Sequence, residues 1–312
     1  MISARIAARL RTLLPAVALA GLLIAVISQQ PRAASYFGLN LLLNLAIPII
    51  FATLAQVVIL AVSDIDLSVG AFVSLTATIG ATLLPNSPGI AVTAYVLCIA
   101  AYAAVGALVE WRGLPAIVVT LGMSFVWLGC AVLLLPTPGG TAPGWLSSAL
   151  RLQPPFVPLP IWVALAAAVF GHLLISRSAF GTCMRGLGGQ PAALARAGES
   201  LVRLRAQVYA CAGLFGVIAG LMLVGQTTSA DANIASRYTL VSIAAAILGG
   251  CEFIGGRVAP AGAVIGALTM TLAASFLTFV NVSPDWQVGM QGAILIAVLA
   301  LRAAIDRLED KR

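Results

Sequence analysis

Long apolar runs, separated by short polar breaks, make up most of the chain. They do not alternate polar and apolar residues with the period of two that a membrane-barrel strand requires. A helix crosses the hydrocarbon of a bilayer in about 20 apolar residues. Ten stretches meet that pattern: 12–28, 39–62, 67–84, 90–109, 115–135, 159–176, 206–225, 240–253, 258–280 and 286–301. The eighth is short and the second contains Pro48. The pattern therefore predicts an all-α polytopic membrane protein of about ten transmembrane helices, built as a single domain over residues 1–312.

Two of the breaks exceed what a turn requires. Residues 136–160 hold seven of the sixteen prolines, which forbids a continuous helix and predicts an irregular external loop over 136–158, with Trp145 and Trp162 at the membrane interface. Such a loop is either a cap packed on the bundle or a platform for an external partner. The second break, 177–205, is read as cytoplasmic. Within it, Gly186-Leu187-Gly188-Gly189-Gln190-Pro191 leads into Ala192-Ala193-Leu194-Ala195-Arg196-Ala197 and stops at Gly198. Pro191 suits the first position of a helix, the alanines propagate it, and Gly198 suits a left-handed stop. A helix of about two turns, roughly 10 Å, does not hold itself in water. It must pack on the membrane domain or be covered by a partner.

Composition strengthens the membrane assignment. The chain is 61% hydrophobic and 9% charged, with a mean hydropathy of +1.06, against roughly 25% charged residues in soluble domains. If the amino terminus is cytoplasmic, ten spans place fourteen of the seventeen basic residues inside and leave only Arg32, Arg151 and Arg237 outside. Both termini are thus expected in the cytoplasm. The net charge of +7 then reports orientation and needs no nucleic-acid partner. The first stretch is followed by Ser28-Gln29-Gln30-Pro31 without a small-x-small site, so it reads as an uncleaved span. Cys98, Cys130, Cys183, Cys211 and Cys251 form no Cys-x-x-Cys pair and read as small packing residues.

Reactive chemistry is sparse. A nucleotide-binding phosphate loop needs a lysine after its glycines, and the only lysine is Lys311 at the tail. His172 is a lone histidine in an apolar run and reads as a hydrogen-bonded packing residue; clustered metal ligands are absent from the sequence. No enzyme is indicated. Gly216-x-x-x-Gly220 and Gly262-x-x-x-Gly266 predict close helix approach. The glycine pairs at 249–250 and 255–256 bracket a tight turn in which Glu252 neutralises Arg257.

With only ten acids in the chain, the segment Ser63-Asp64-Ile65-Asp66-Leu67-Ser68-Val69-Gly70 stands out. A carboxylate within hydrocarbon costs several kcal/mol, so it faces protein, a water-filled path or the membrane boundary. Ser63 or Asp64 can cap the following helix with Asp66 at its positive end, or Asp64 and Asp66 can line a pathway. Asn40, Asn44, Gln56 and Thr120 are further polar candidates in or near spans.

The string Asp64-Ile-Asp-Leu-Ser-Val-Gly resembles the Gly-Ile-Asp-Leu-Ser-Val-Gly signature of the ribose-type permease subunits of bacterial ABC importers. The resemblance extends to Phe180-Gly181, Leu187-Gly188-Gly189-Gln190-Pro191-Ala192-Ala193, Leu248-Gly249-Gly250 and Gly255-Gly256, and so covers nearly the whole chain. Asp64 departs from the family's glycine, and Cys251-Glu252-Phe253-Ile254 from its more polar turn. The resemblance implies a multi-pass permease of the bacterial inner membrane that moves a monosaccharide or similar small polyol. It has no cofactor of its own, since ATP is bound by separate ABC ATPase subunits. A periplasmic sugar-binding protein and a second permease copy complete the assembly. It assigns Asp64, Asp66, Leu67, Ser68 and Gly70 to the family motif or the translocation pathway. It assigns Gly188, Gly189, Gln190, Pro191, Ala192, Arg196 and Gly198 to a coupling helix against the ATPase. A permease for nucleosides or branched-chain amino acids, and an ion-coupled secondary transporter using Asp64 and Asp66, are the alternatives; a non-transporting membrane scaffold is a third.

Overall fold

The computed structural model of the protein describes residues 2–283 and scattered positions beyond them up to 300. The tenth predicted stretch, 286–301, and the basic carboxy-terminal tail lie mostly outside the described residues. The helices are α1 (Ile2–Gln29), α2 (Tyr36–Asn44), α3 (Ala46–Leu60), α4 (Val69–Thr82), α5 (Pro88–Arg112), α6 (Ala116–Leu134) and α7 (Gly144–Leu150). They continue as α8 (Leu159–His172), α9 (Ala179–Gly189), α10 (Pro191–Arg196), α11 (Leu201–Thr227), α12 (Tyr238–Leu248) and α13 (Pro260–Phe279). Among the described residues there is no strand, only an isolated bridge between Gly139 and Ala230.

The described residues support a polytopic helical membrane protein, with fewer continuous spans among them than the ten stretches of the apolar pattern. Among the described residues five helices are long and apolar enough to cross a membrane: α5, α6, α8 with its π-helical continuation to Arg177, α11 and α13. The pair α2 and α3, bent by 41° at its break, makes a sixth. Helices α4 and α12, with 14 and 11 residues, are shorter; at 1.5 Å per residue they reach about 21 and 16 Å, less than the ~30 Å hydrocarbon thickness. Both follow irregular segments, 61–68 and 228–237, in which Ser63 and Thr228 hold positive φ angles of 60° and 61°. Both segments carry polar residues at the gaps between predicted stretches, so the apolar pattern locates the breaks but not the shortness of the helices that follow.

Helix α11 is the axis of the bundle. Its span is 67% buried against 17% for α6 at the periphery, and it packs on α3, α4 and α5. Small residues permit this. A Cβ on Gly220 would stand 2.1 Å from the Thr76 hydroxyl of α4, and one on Gly216 would stand 2.6 Å from the Phe72 ring. On the opposite side Gly262 and Gly266 of α13 lie against the Gly249 and Ala245 carbonyls, so α12 and α13 touch backbone to backbone. Both small-residue pairs therefore mark close helix crossings.

The proline-rich segment is a packed cap. Thr141 donates its N–H to the Ala81 carbonyl at 2.9 Å, Ala142 donates to that of Thr228 at 2.8 Å, and α7 buries Leu146 and Leu150 over Gly225. His172, expected to be a packed and hydrogen-bonded residue, instead lies exposed at the end of α8. Replacing Gly220 by valine should force α11 off α4 and lower stability by about 2 kcal/mol. The check is the apparent melting temperature of the detergent-solubilised protein; an unchanged value would refute the tight crossing.

Candidate functional site

The break between α3 and α4 is built around Asp66, which is fully buried. Its backbone is clamped by the Gln56 carboxamide, which donates to the Asp66 carbonyl at 3.1 Å and accepts from its N–H at 3.2 Å. Its side chain accepts at one oxygen from the Ser68 N–H and the Ser68 hydroxyl, both at 2.7 Å, and at the other from the Tyr102 hydroxyl. The neighbouring Leu67 N–H reaches the Thr120 hydroxyl at 3.1 Å, and the Gly70 N–H reaches that of Thr239 at 2.9 Å. The first amides of α4 are thus capped by Asp66 and by a side chain from another helix. Ser63 and Asp64, the expected caps, do neither. Phe72, Tyr102 and Trp127 form an aromatic wall beside Asp66, with centroid separations of 4.5 to 6.0 Å.

Asp64 belongs to a second network. Its carboxylate accepts from the Tyr209 hydroxyl at 3.1 Å and lies 3.6 Å from Nε of Arg205, whose Nη1 is 3.0 Å from Glu110. One guanidinium therefore joins the end of α5, the start of α11 and the α3–α4 break. The expected neutralisation of Arg257 by Glu252 is present at 3.7 Å, but both side chains are well exposed and the pair contributes little.

A third cluster lies at the same end of the bundle. The Ser63 hydroxyl donates to the Gly188 carbonyl at 2.9 Å and accepts from the Gly255 N–H at 3.0 Å. It pins the end of α9 to the turn before α4 and the turn after α12. These contacts leave no room for side chains: a Cβ would stand 2.3 Å from the Ala61 carbonyl at Gly188, and 2.3 Å from the Arg185 carbonyl at Gly256. Gly256 also holds a φ of +67°, which glycine tolerates best. Gly189 and Gln190 then lead into α10, with Pro191 at its first position, Ala192 and Arg196 exposed on it, and Gly198 beyond it at φ +86°. No residue of α10 is buried; Leu194 rests on Gly186 of α9.

A cleft of about 340 Å³ opens where α4 and α12 begin, walled by α4, by α6 and by Ala232, Asn233, Ser236 and Thr239. Leu67 is the motif residue that lines it; Asp64, Asp66, Ser68 and Gly70 lie behind its wall.

The family described as "Branched-chain amino acid transport system / permease component" matches residues 38–299. The chain belongs to this permease family. It is 29% identical to the galactose/methyl galactoside import permease protein MglC of Escherichia coli over 90% of each chain. It is 30% identical to the ribose import permease protein RbsC of the same species over 89% of each. With the Escherichia coli autoinducer 2 import system permease protein LsrC it shares 28% identity over 83% of this chain and 78% of that one. No solved structure matches the chain. Its family places the permease in the bacterial inner membrane.

In the permease, the polar residues singled out from the sequence have other work. Gln56 and Thr120 satisfy the broken backbone at Asp66 and Leu67, and the Asn44 carbonyl accepts from Gln226 at 2.8 Å. Neither they nor Asn40 line the cleft. The polar residues that do are Ser74, Ser124, Asn233, Ser236 and Thr239, which short polar side chains in apolar runs do not advertise. Arg205→Ala should cost about 3 kcal/mol, because it strands two partly buried carboxylates. Thermal unfolding of Arg205→Ala beside Arg205→Ala/Asp64→Asn checks this, with the double variant recovering part of the loss.

Proposed function

We propose that this chain is the membrane subunit of an ATP-driven importer for a neutral monosaccharide or similar small polyol. The observation that carries the reading is the match, over most of both chains, to import permeases named for galactose, ribose and autoinducer 2. Separate ATPase subunits bind and hydrolyse ATP, a periplasmic binding protein delivers the solute, and two permease copies enclose the pathway. The missing phosphate loop fits this division of labour.

The coupling assignment is supported by the cluster at Ser63. Helix α10 offers an uncovered surface, and Gly188 of the preceding α9 accepts from the Ser63 hydroxyl in the break before α4, which itself accepts from the Gly255 N–H in the turn after α12. A push on α10 is therefore delivered to two short helices that flank the cleft, as a rigid displacement with no flexible linker between. Both ends of the bundle need not move together. The ion-coupled alternative needs a carboxylate free to take up a cation. Asp66 is buried in hydrogen bonds and Asp64 is ion-paired, so neither is available without breaking a network.

Proteoliposomes holding the permease with its ATPase should take up radiolabelled galactose or ribose only with ATP and a binding protein. Uptake by the permease alone under an imposed proton or sodium gradient would overturn the reading. Gly188→Val should remove most ATP-driven uptake while leaving the protein inserted; transport at the wild-type rate would detach α9 and α10 from coupling.

A further inference from the structure

We infer that the cleft where α4 and α12 begin is the wall along which the solute passes, and that Ser74, Ser124, Asn233, Ser236 and Thr239 hand over a neutral polyhydroxylated molecule by hydrogen bonds. The inference rests on the importer reading above and adds to it the residues that contact the solute. Its volume of about 340 Å³ is that of a small-molecule site. Its position is the second support. Helices α4 and α12 both start at the cleft after irregular segments, and non-helical backbone at membrane depth is tolerated where it is buried in protein or lines a cavity. Transporters commonly bind solute at such broken helices.

The lining supplies both hydrogen-bonding senses. The Thr239 hydroxyl accepts from the Gly70 N–H at 2.9 Å and that of Ser74 accepts from the Ala235 N–H at 3.0 Å; neither hydroxyl proton has an acceptor among the described residues. Ser124 and Ser236 are the reverse case, donating to the Leu121 and Asn233 carbonyls at 2.6 and 2.7 Å and keeping lone pairs to accept. The Asn233 carboxamide has no partner among the described residues and offers both. Exposed Phe125 adds an apolar face suited to the C–H side of a sugar ring.

Charge decides the class. No Asp, Glu, Lys, Arg or His lines the cleft, and Asp231 nearby is turned back on the Asn233 N–H at 2.8 Å. An amino acid would bring a carboxylate and an ammonium with nothing to pair them, at a cost of several kcal/mol away from water. A neutral polyol incurs no such cost.

The test uses cells expressing the complete importer, with radiolabelled D-galactose and D-ribose as probes and L-leucine as the zwitterionic comparator. Asn233→Leu and Ser236→Leu should each slow sugar uptake about tenfold while membrane levels stay at wild type. Ser236→Cys guards against misfolding: a charged, membrane-impermeant thiosulfonate should label it about threefold more slowly with saturating sugar than with leucine, by mass-action protection. The wild-type chain with its own five cysteines sets the background. If the wild type moves sugar but both leucine variants keep their rate and sugar leaves labelling unchanged, the cleft is not the path. If the wild type moves leucine and neither sugar, the importer reading itself falls, and the variants are not needed to show it.

Discussion

The fold depends on satisfying a backbone that stops being helical where water is scarce. Between Leu60 and Val69 the chain leaves one helix and starts another, and each freed N–H or C=O left unpaired in hydrocarbon would cost several kcal/mol. The protein answers with side chains. Gln56 takes both polar groups of Asp66, Thr120 takes the Leu67 N–H, and the Asp66 carboxylate takes that of Ser68. Buried Tyr102 completes the carboxylate's shell and joins it to Phe72 and Trp127. Once this break is held, Leu67 is directed to the cleft on one side and Ser63 to the turn at Gly188 on the other.

That arrangement ties three segments together. The end of α9, just before the exposed α10, the break between α3 and α4, and the turn after α12 are connected through the Ser63 hydroxyl and close backbone contacts. Arg205 braces the same region to α5 and α11 through Glu110 and Asp64. Packed contacts of this sort shift between discrete arrangements and do not stretch. Asp66 is held by hydrogen bonds and Asp64 by an ion pair, and short neutral side chains line the cleft nearby.

Local features were legible in advance. The helix Pro191–Arg196 and its left-handed stop at Gly198 follow from proline, alanine and glycine chemistry, which acts within a few residues. The crossings at Gly216, Gly220, Gly262 and Gly266 were legible because only small residues allow backbone approach. Helix α9 was not: its glycines at 181, 186, 188 and 189 read as a loop, and it forms because Met184 and Leu187 bury against the bundle. The lengths of α4 and α12 were not legible either: the apolar runs 67–84 and 240–253 form helices of only 14 and 11 residues, each starting after an irregular polar segment that is held by contacts distant in sequence.

From the sequence alone came the membrane class, the family motif, the absence of a nucleotide motif and the short helix after Gly189. Each is a property of composition or of neighbours along the chain. Tertiary structure alone decided which carboxylate is capped and which is paired, which helices fall short of the bilayer, and which hydroxyls face open space. Those outcomes depend on partners far apart in sequence, such as Asp64 with Arg205 and Gly70 with Thr239, whose energies exist only after the helices have packed.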